Sequence, residues 1–445
     1  MLGRIYKLLI IIMMPAAVFD INVCYSQSDK ATRPRIVITD STKDSRDIEK
    51  TQSDPSDASS SRPQVIIRDI QKEETPSSQS NPSSSPTKIV PAQSEKSNFT
   101  ISNEQSSKWD LLTIKSKIAE AKRLLQSKPL LTSLLDSSKV DTSVVRLAYY
   151  DRKRNRIDYV TISKSLFLKG GAEFPASSSD GNMVIIRVIR GNGVNTPVTI
   201  WEDGEFHVPL VVQYPIERGG FHRETAYYVS THPGLVTPEI VQIGKIYVRN
   251  LVDAARSSLR EKGIFVSKEL ADIAERLIVV EHVDHYRFRN EYHLNIFNDI
   301  YALCALNEGQ TYAYAISSAG AGGLVQMIPS TYAIVRSRFY SVGLIPDFVD
   351  GMRNHLNAVK AMLLYMKMVW EDLLMNDVVY QALRSGIVTQ KELIAAGYNS
   401  NPARLPLYIR RGGASWRNLI PAETKIYLEI YRSMELFVPL EPRKE

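Results

Sequence analysis

The chain has 445 residues, 44% of them hydrophobic, with 55 Lys and Arg against 48 Asp and Glu and a formal net charge of +7 at pH 7. That length leaves room for about two to three domains, and a content of only two cysteines excludes a disulfide-stapled scaffold, so an apolar core must hold the fold. A sequence pI of about 9.1 suits nucleic acid, anionic polymers or lipid head groups alike, but no zinc-finger spacing, Walker loop or arginine-rich recognition helix accompanies it, and nucleic acid is set aside as a partner.

Arg4 and Lys7 precede an apolar run over residues 8–19, short for a bilayer span and suited to the core of a signal peptide. Cys24 and Ser26 are small residues two apart, so cleavage after Ser26 is expected, which would leave Cys304 as the only cysteine. Asn22 and Val23 make a poor lipoprotein box. Residues 1–26 therefore read as an export signal to the periplasm or cell envelope, with an uncleaved membrane anchor as the alternative. Residues 27–108 are rich in Ser, Pro, Asp, Lys and Gln, and a segment that buries so little apolar surface cannot offset its ordering entropy; it reads as a disordered linker. Within it Arg33-Pro34-Arg35-Ile36-Val37-Ile38-Thr39-Asp40 resembles Arg62-Pro63-Gln64-Val65-Ile66-Ile67-Arg68-Asp69. That repeat is either a duplicated β-strand-addition motif for an envelope protein partner or chance in a low-complexity segment, the stronger reading.

Leu111, Leu112, Ile114, Ile118, Ala121, Leu124 and Leu125 recur at helical spacing and predict a helix over 109–131. Short β-branched and aromatic runs follow at 144–150, 156–162, 183–189, 197–201, 208–214, 225–230 and 240–248, separated by Gly-, Asn- and Pro-containing turns. They predict a small β-rich accessory domain, sandwich or barrel-like, over 109–262 with its leading helix, able to bind a partner or substrate. It shows no catalytic cluster, and His207, His222 and His232 read as surface or packing residues rather than metal ligands. After Leu251 the period is helical. Leu270, Ile273, Ala274, Leu277 and Glu281 share one helix face, Phe297, Tyr301, Cys304 and Glu308 another, and further helices are expected over 354–375 and 421–434. The fold class is thus α+β multidomain, ending in an all-α domain over 263–440.

Ser317-Ser318-Ala319-Gly320-Ala321-Gly322-Gly323-Leu324-Val325-Gln326-Met327-Ile328-Pro329 places small residues where a ligand could approach the backbone. It resembles the Ser-x-x-Gly-Ala-x-Gly-Leu-Met-Gln-x-x-Pro signature of the soluble lytic transglycosylases, relatives of goose-type lysozyme, with Val325 in place of Met. Gly397-Tyr398-Asn399-Ser400-Asn401-Pro402-Ala403-Arg404-Leu405 resembles that family's Ala-Tyr-Asn-Ala-Gly-Pro-Gly-Arg-Val block, departing at Gly397, Asn401 and Ala403. Pro421-Ala422-Glu423-Thr424-Lys425-Ile426-Tyr427 is similar to its Pro-x-Glu-Thr-x-x-Tyr stretch. Three motifs in the family's order are far more specific than one, although they say nothing of the residues before about 250.

The resemblance implies a lysozyme-like domain that cleaves the MurNAc–GlcNAc β-1,4 bond of peptidoglycan glycan strands and leaves 1,6-anhydroMurNAc ends, without metal or cofactor. It implies one glutamic acid, kept protonated by apolar neighbours, that protonates the glycosidic oxygen and then deprotonates the sugar's own 6-hydroxyl. A second carboxylate of the usual hydrolytic plan is not required. Tyr398 would orient the acid; Ser317, Gly323, Gln326 and Asn399 would bind substrate. Gly323 stands fifteen residues after Glu308 and Ser317 nine after it, the family's spacing, so Glu308 is the preferred acid. Glu281 ends an apolar helix as the family's acid does, but choosing it requires an insertion of about 27 residues before the glycine motif. The cluster Glu281, His282, Asp284 and His285 matches no zinc-protease spacing and reads as a polar helix end lining the cleft. The alternatives are an inactive glycan-binding or scaffold protein of the envelope and a hydrolytic muramidase.

Overall fold

The computed structural model describes residues 111–133, 136–230 and 232–444. The expected export signal, the Ser/Pro-rich segment read as a linker and its repeat lie outside the described residues.

The first element, α1 (Leu111–Gln126), buries Ile114, Ile118, Ala121 and Leu125, a stripe at helical spacing that lies on the outside of a sheet. After a short hairpin, β1 (Leu131–Ser133) and β2 (Asp136–Val140), come β3 (Val144–Asp151), β4 (Arg156–Ser163), a one-turn helix α2 (Lys164–Phe167), β5 (Glu173–Ser177), β6 (Met183–Val188), β7 (Val198–Glu202), β8 (Glu205–Arg218) and β9 (Phe221–Tyr228). Strands β3 to β9 form one antiparallel seven-stranded sheet, ordered β4-β3-β8-β7-β6-β5 with β9 also on β8. The sheet curls into a half barrel: a bridge between Val160 and Ser178 brings the end of β5 back to β4. Strand β6 shows why it curls around a core, since Val184, Ile186 and Val188 are buried while Met183, Ile185 and Arg187 face out, the two-residue alternation of a one-sided sheet. The long β8 is buried almost continuously, because α1 packs on it and β3 from one side and the barrel core from the other. Gln213 on β8 ties α1 down by donating to the carbonyls of Leu125 and Lys128.

The expected strand over 240–248 is instead part of α3 (Pro238–Glu261). Its β-branched content suits a strand, but Thr237 caps the Ile240 N–H and Pro238 sits in the first turn, a helix-start signal. Ile240, Gly244, Val248, Val252, Ala255 and Leu259 make its buried face. A Cβ on Gly244 would lie 1.9 Å from the Tyr301 carbonyl oxygen, so that glycine is what lets α3 cross the next helices so closely. Then follow α4 (Lys268–Val280), α5 (His285–Asn290), α6 (His293–Leu306), α7 (Pro329–Arg338) and α8 (Phe348–Arg353). The central α9 (His355–Leu374) is buried on nearly all sides; α10 (Asp377–Arg384), α11 (Gln390–Asn399), α12 (Leu405–Gly412) and α13 (Ala422–Phe437) complete the array. Helix α3 packs on α4, α6 and α9, so the helical region begins some 25 residues before the expected boundary at 262/263. All described residues fall within one compact unit. No helix among them is long and apolar enough to cross a membrane.

Candidate functional site around the glycine motif

The glycine motif folds into a small antiparallel arrangement in which Ile316 pairs with Gly322 and Gly322 with Met327. Ser317 makes the first turn: its N–H donates to the Ala321 carbonyl at 2.8 Å, and its Oγ accepts from the Ala321 N–H at 3.0 Å. The second turn needs Gly323, whose φ is +70° and whose Cβ, if present, would lie 2.4 Å from the Met352 carbonyl oxygen. Gln326 closes it with φ +47°, its side-chain amide donating to the Gly323 carbonyl at 2.8 Å. Ser317 and Gln326 thus act on the motif's own backbone in this state.

Two other segments bond to this strip, and a third bonds to one of them. Tyr398, near the end of α11, donates its hydroxyl to the Val325 carbonyl at 2.7 Å and packs edge-on against Tyr365 of α9. Asn399 ends α11 half-buried beside it. The departures of this block have local reasons: Gly397 has Pro402 and Val369 within van der Waals reach of where a Cβ would stand, and Asn401 caps the next turn by accepting from the Ala403 N–H. Glu281 directly follows α4, half-buried, with its backbone N–H still bonded to Leu277. Its carboxylate accepts a 2.5 Å hydrogen bond from Tyr427, the tyrosine of the third motif, buried on α13. The adjoining His282 donates from Nε2 to the Leu324 carbonyl at 2.7 Å and stacks on Tyr312 with ring centroids 3.5 Å apart. Asp284 caps α5 by accepting from the Arg287 N–H. Glu281 and Tyr427 are thus bonded to each other, and His282 and Tyr398 to adjacent carbonyls of the glycine strip.

Glu308 does not join them. The expected helix face carrying it stops short, since α6 ends at Leu306 and Asn307 turns away to bond both the N–H and the carbonyl of Val229. Glu308 lies in the turn that follows, its side chain 53% exposed and paired with Lys115 of α1 at 2.9 Å. The N–H of Gly309 next to it donates to the Tyr247 hydroxyl. Burial, which does not separate the two glutamates by sequence pattern, separates them here.

The β-rich region holds a charged cluster that sequence pattern does not reveal. Asp151, Glu202 and His207 are all buried, with potential ligand atoms within 4.8 Å of one another. Arg154 donates to both carboxylates, at 2.9 Å to Asp151 and 2.8 and 3.0 Å to Glu202. Those bonds hold the Glu202 carboxyl down to about 2; burial alone would raise Asp151, and Arg154 more than offsets it. His207 accepts from the Arg152 N–H through Nδ1 and donates to Glu202 through Nε2. The guanidinium stands where a metal cation would, so this is a satisfied ion cluster. Its members come from two hairpin turns that only the β3–β8 pairing brings side by side.

Burial pushes the imidazoles of His282 and His232 down to about 3 and that of His355 to about 4. A base with a depressed folded-state pKa contributes stability that is complete above its unfolded value and is lost as pH falls below it. Stability is therefore expected to drop between about pH 6.5 and 4, each histidine adding up to about 1.4 kcal/mol per pH unit. Denaturant midpoints from pH 7.5 to 5 check this, and a flat profile would contradict neutral burial of the three rings.

Comparison of the chain with protein-family models, with curated proteins and with solved structures finds no match.

Proposed function

We propose that the protein is an exported lytic transglycosylase of the cell envelope, with a lysozyme-like arrangement in its helical region and Glu281 as its acid and base. The observation that carries this reading is the bond of Glu281 to Tyr427 of the third motif, next to His282, which with the motif tyrosine Tyr398 bonds adjacent carbonyls, Leu324 and Val325, of the glycine strip. Glu308 has the family's spacing but not this company. Two helices, α5 and α6, stand between Glu281 and the glycine motif, where the insertion that Glu281 requires would fall.

In the proposed reaction Glu281 gives its proton to the glycosidic oxygen as the bond from C1 of MurNAc breaks. The carboxylate so formed takes the proton of the C6 hydroxyl, whose oxygen closes on C1; no water is consumed and the carboxyl ends protonated again. Tyr427 holds one carboxylate oxygen, fixing the direction of the other. Gly323 lets the strip pack closely against Met352, and Tyr398 fixes its position.

Digestion of purified peptidoglycan with mass analysis of the products tests the reading. Products 18 Da lighter than hydrolytic ones, bearing 1,6-anhydro ends, are expected from the wild type; reducing MurNAc ends would mean a muramidase, and undigested wall a binding or scaffold protein. Glu308→Gln is expected to keep activity within about twofold of wild type and to lose only an exposed ion pair, worth about 0–1 kcal/mol. Loss of product with Glu308→Gln alone would return the catalytic role to that residue.

A further inference from the structure

A cavity of about 260 Å³ lies between the β-rich region and the glycine motif, lined by Ile216 and Arg218 of β8, Ile316, Gly322 and Gly323 of the motif, and Arg353 of α8. Sites for whole small molecules occupy about 300–1,000 Å³, so this volume suits one portion of a larger ligand. It shares Gly322 and Gly323 with the strip whose next two carbonyls are held by His282 and Tyr398. A ligand lying along the strip therefore has its side branch at the cavity mouth.

The charges there are cationic on balance. Glu217 is neutralised by Lys164 at 2.9 Å. Arg353 meets Glu224 through one terminal nitrogen at 2.6 Å, and its face lies over Tyr314, but its Nε is buried without a hydrogen-bond partner. Arg218, exposed at the end of β8, forms no ion pair among the described residues. A buried donor lacking an acceptor is costly, so a shift of the Arg353 side chain toward an anionic group in the cavity would gain it one. Ile216, Ile316 and Met352 line the remainder with apolar surface.

We infer that this cavity binds the peptide stem of peptidoglycan, a short chain of small apolar side chains and free carboxylates attached to the muramic acid, with Arg353 and Arg218 receiving a stem carboxylate. The inference rests on the lytic transglycosylase reading for the identity of the glycan. It assigns to the β-rich region, through β8, the selection of strands that carry stems.

The test is calorimetric binding to the full chain. N-acetylmuramoyl-L-alanyl-D-glutamate, its diamide and chitotetraose are the probes. The dicarboxylate is expected to bind at least tenfold more tightly than the diamide, and Arg218→Glu and Arg353→Ala to abolish that preference while chitotetraose binding stays within about twofold. Arg218 is exposed, so its variant keeps the proposal testable if loss of the Arg353–Glu224 pair disturbs folding. Equal binding of dicarboxylate and diamide, or an unchanged preference in Arg218→Glu, overturns the assignment. The two readings fail separately: a stem preference without anhydro products from peptidoglycan sinks the lyase reading and sustains the cavity, whereas anhydro products without a stem preference do the reverse.

Discussion

Glu281→Gln is expected to lower release of 1,6-anhydro products by about 10²–10⁴-fold, the usual worth of a positioned general acid and base, with the fold unchanged. Gln keeps the side chain's size and an oxygen that can accept from Tyr427, so the substitution removes proton transfer and little else. Substrate binding, measured on intact peptidoglycan by co-sedimentation, should change by less than about threefold, because the strip at Gly323–Gln326 and Tyr398 is untouched. Tyr427→Phe separates positioning from chemistry. The hydrogen bond it deletes, 2.5 Å to the Glu281 carboxylate, favours the charged form. Its removal should move the alkaline limb of the rate profile to higher pH as well as lower the rate. Anhydro products at wild-type rates from Glu281→Gln would place the acid elsewhere in the chain.

Arg443→Ala should cost about 3–5 kcal/mol of stability, the price of breaking a buried ion pair from one side. The Arg443 side chain is only 4% exposed and meets Asp253 at 2.6 Å, Asp272 at 2.7 Å and Glu275 at 2.6 Å, joining the segment after α13 to α3 and α4. Burial raises the Glu275 carboxyl above its ordinary range, and Arg443 and Arg249 pull against that rise. An acid whose folded-state pKa is raised loses stability as pH climbs through that range, so removing Arg443 should hurt most near pH 7 and less near pH 4.5, where Glu275 takes a proton. Denaturant midpoints of the wild type and variant at both values measure the difference. A deficit that is the same at both pH values would mean that the carboxylate is not the group left stranded.

Six of the seven strands of the half barrel were legible because each carries its own alternation and is bounded by its own turns; β5, with a proline and no β-branched residue in Glu173–Ser177, was not. Sequence expects 183–189 and 197–201, and β6 and β7 run Met183–Val188 and Val198–Glu202. The long helices were legible for the same reason at a different period, as 354–375 against His355–Leu374 shows. The exception, 240–248, has the composition of a strand and the cap of a helix. There burial against α6 and α9 decided, since helix stability comes mainly from packing one face. The sequence carries the helix face of Phe297, Tyr301 and Cys304 on to Glu308, whereas α6 ends at Leu306. Asn307 and Gly309, whose φ is +73°, are stop signals already present in the sequence.

By itself the sequence determined most of the strands and helices, though not β5 or the start of α3, and the order of the three blocks of residues. These depend on neighbours in the chain, within reach of local sterics and periodicity. Only the tertiary structure decided that Glu281 bonds to Tyr427 of the third block while Glu308 pairs with Lys115. Glu281 and Tyr427 are separated by 146 residues, and nothing local to either encodes the packing of α4 against α13. The cavity at Arg353 and the Asp151–Glu202–His207–Arg154 cluster have the same origin, because each is assembled from strand pairings and helix contacts that bring distant, individually unremarked side chains to one place.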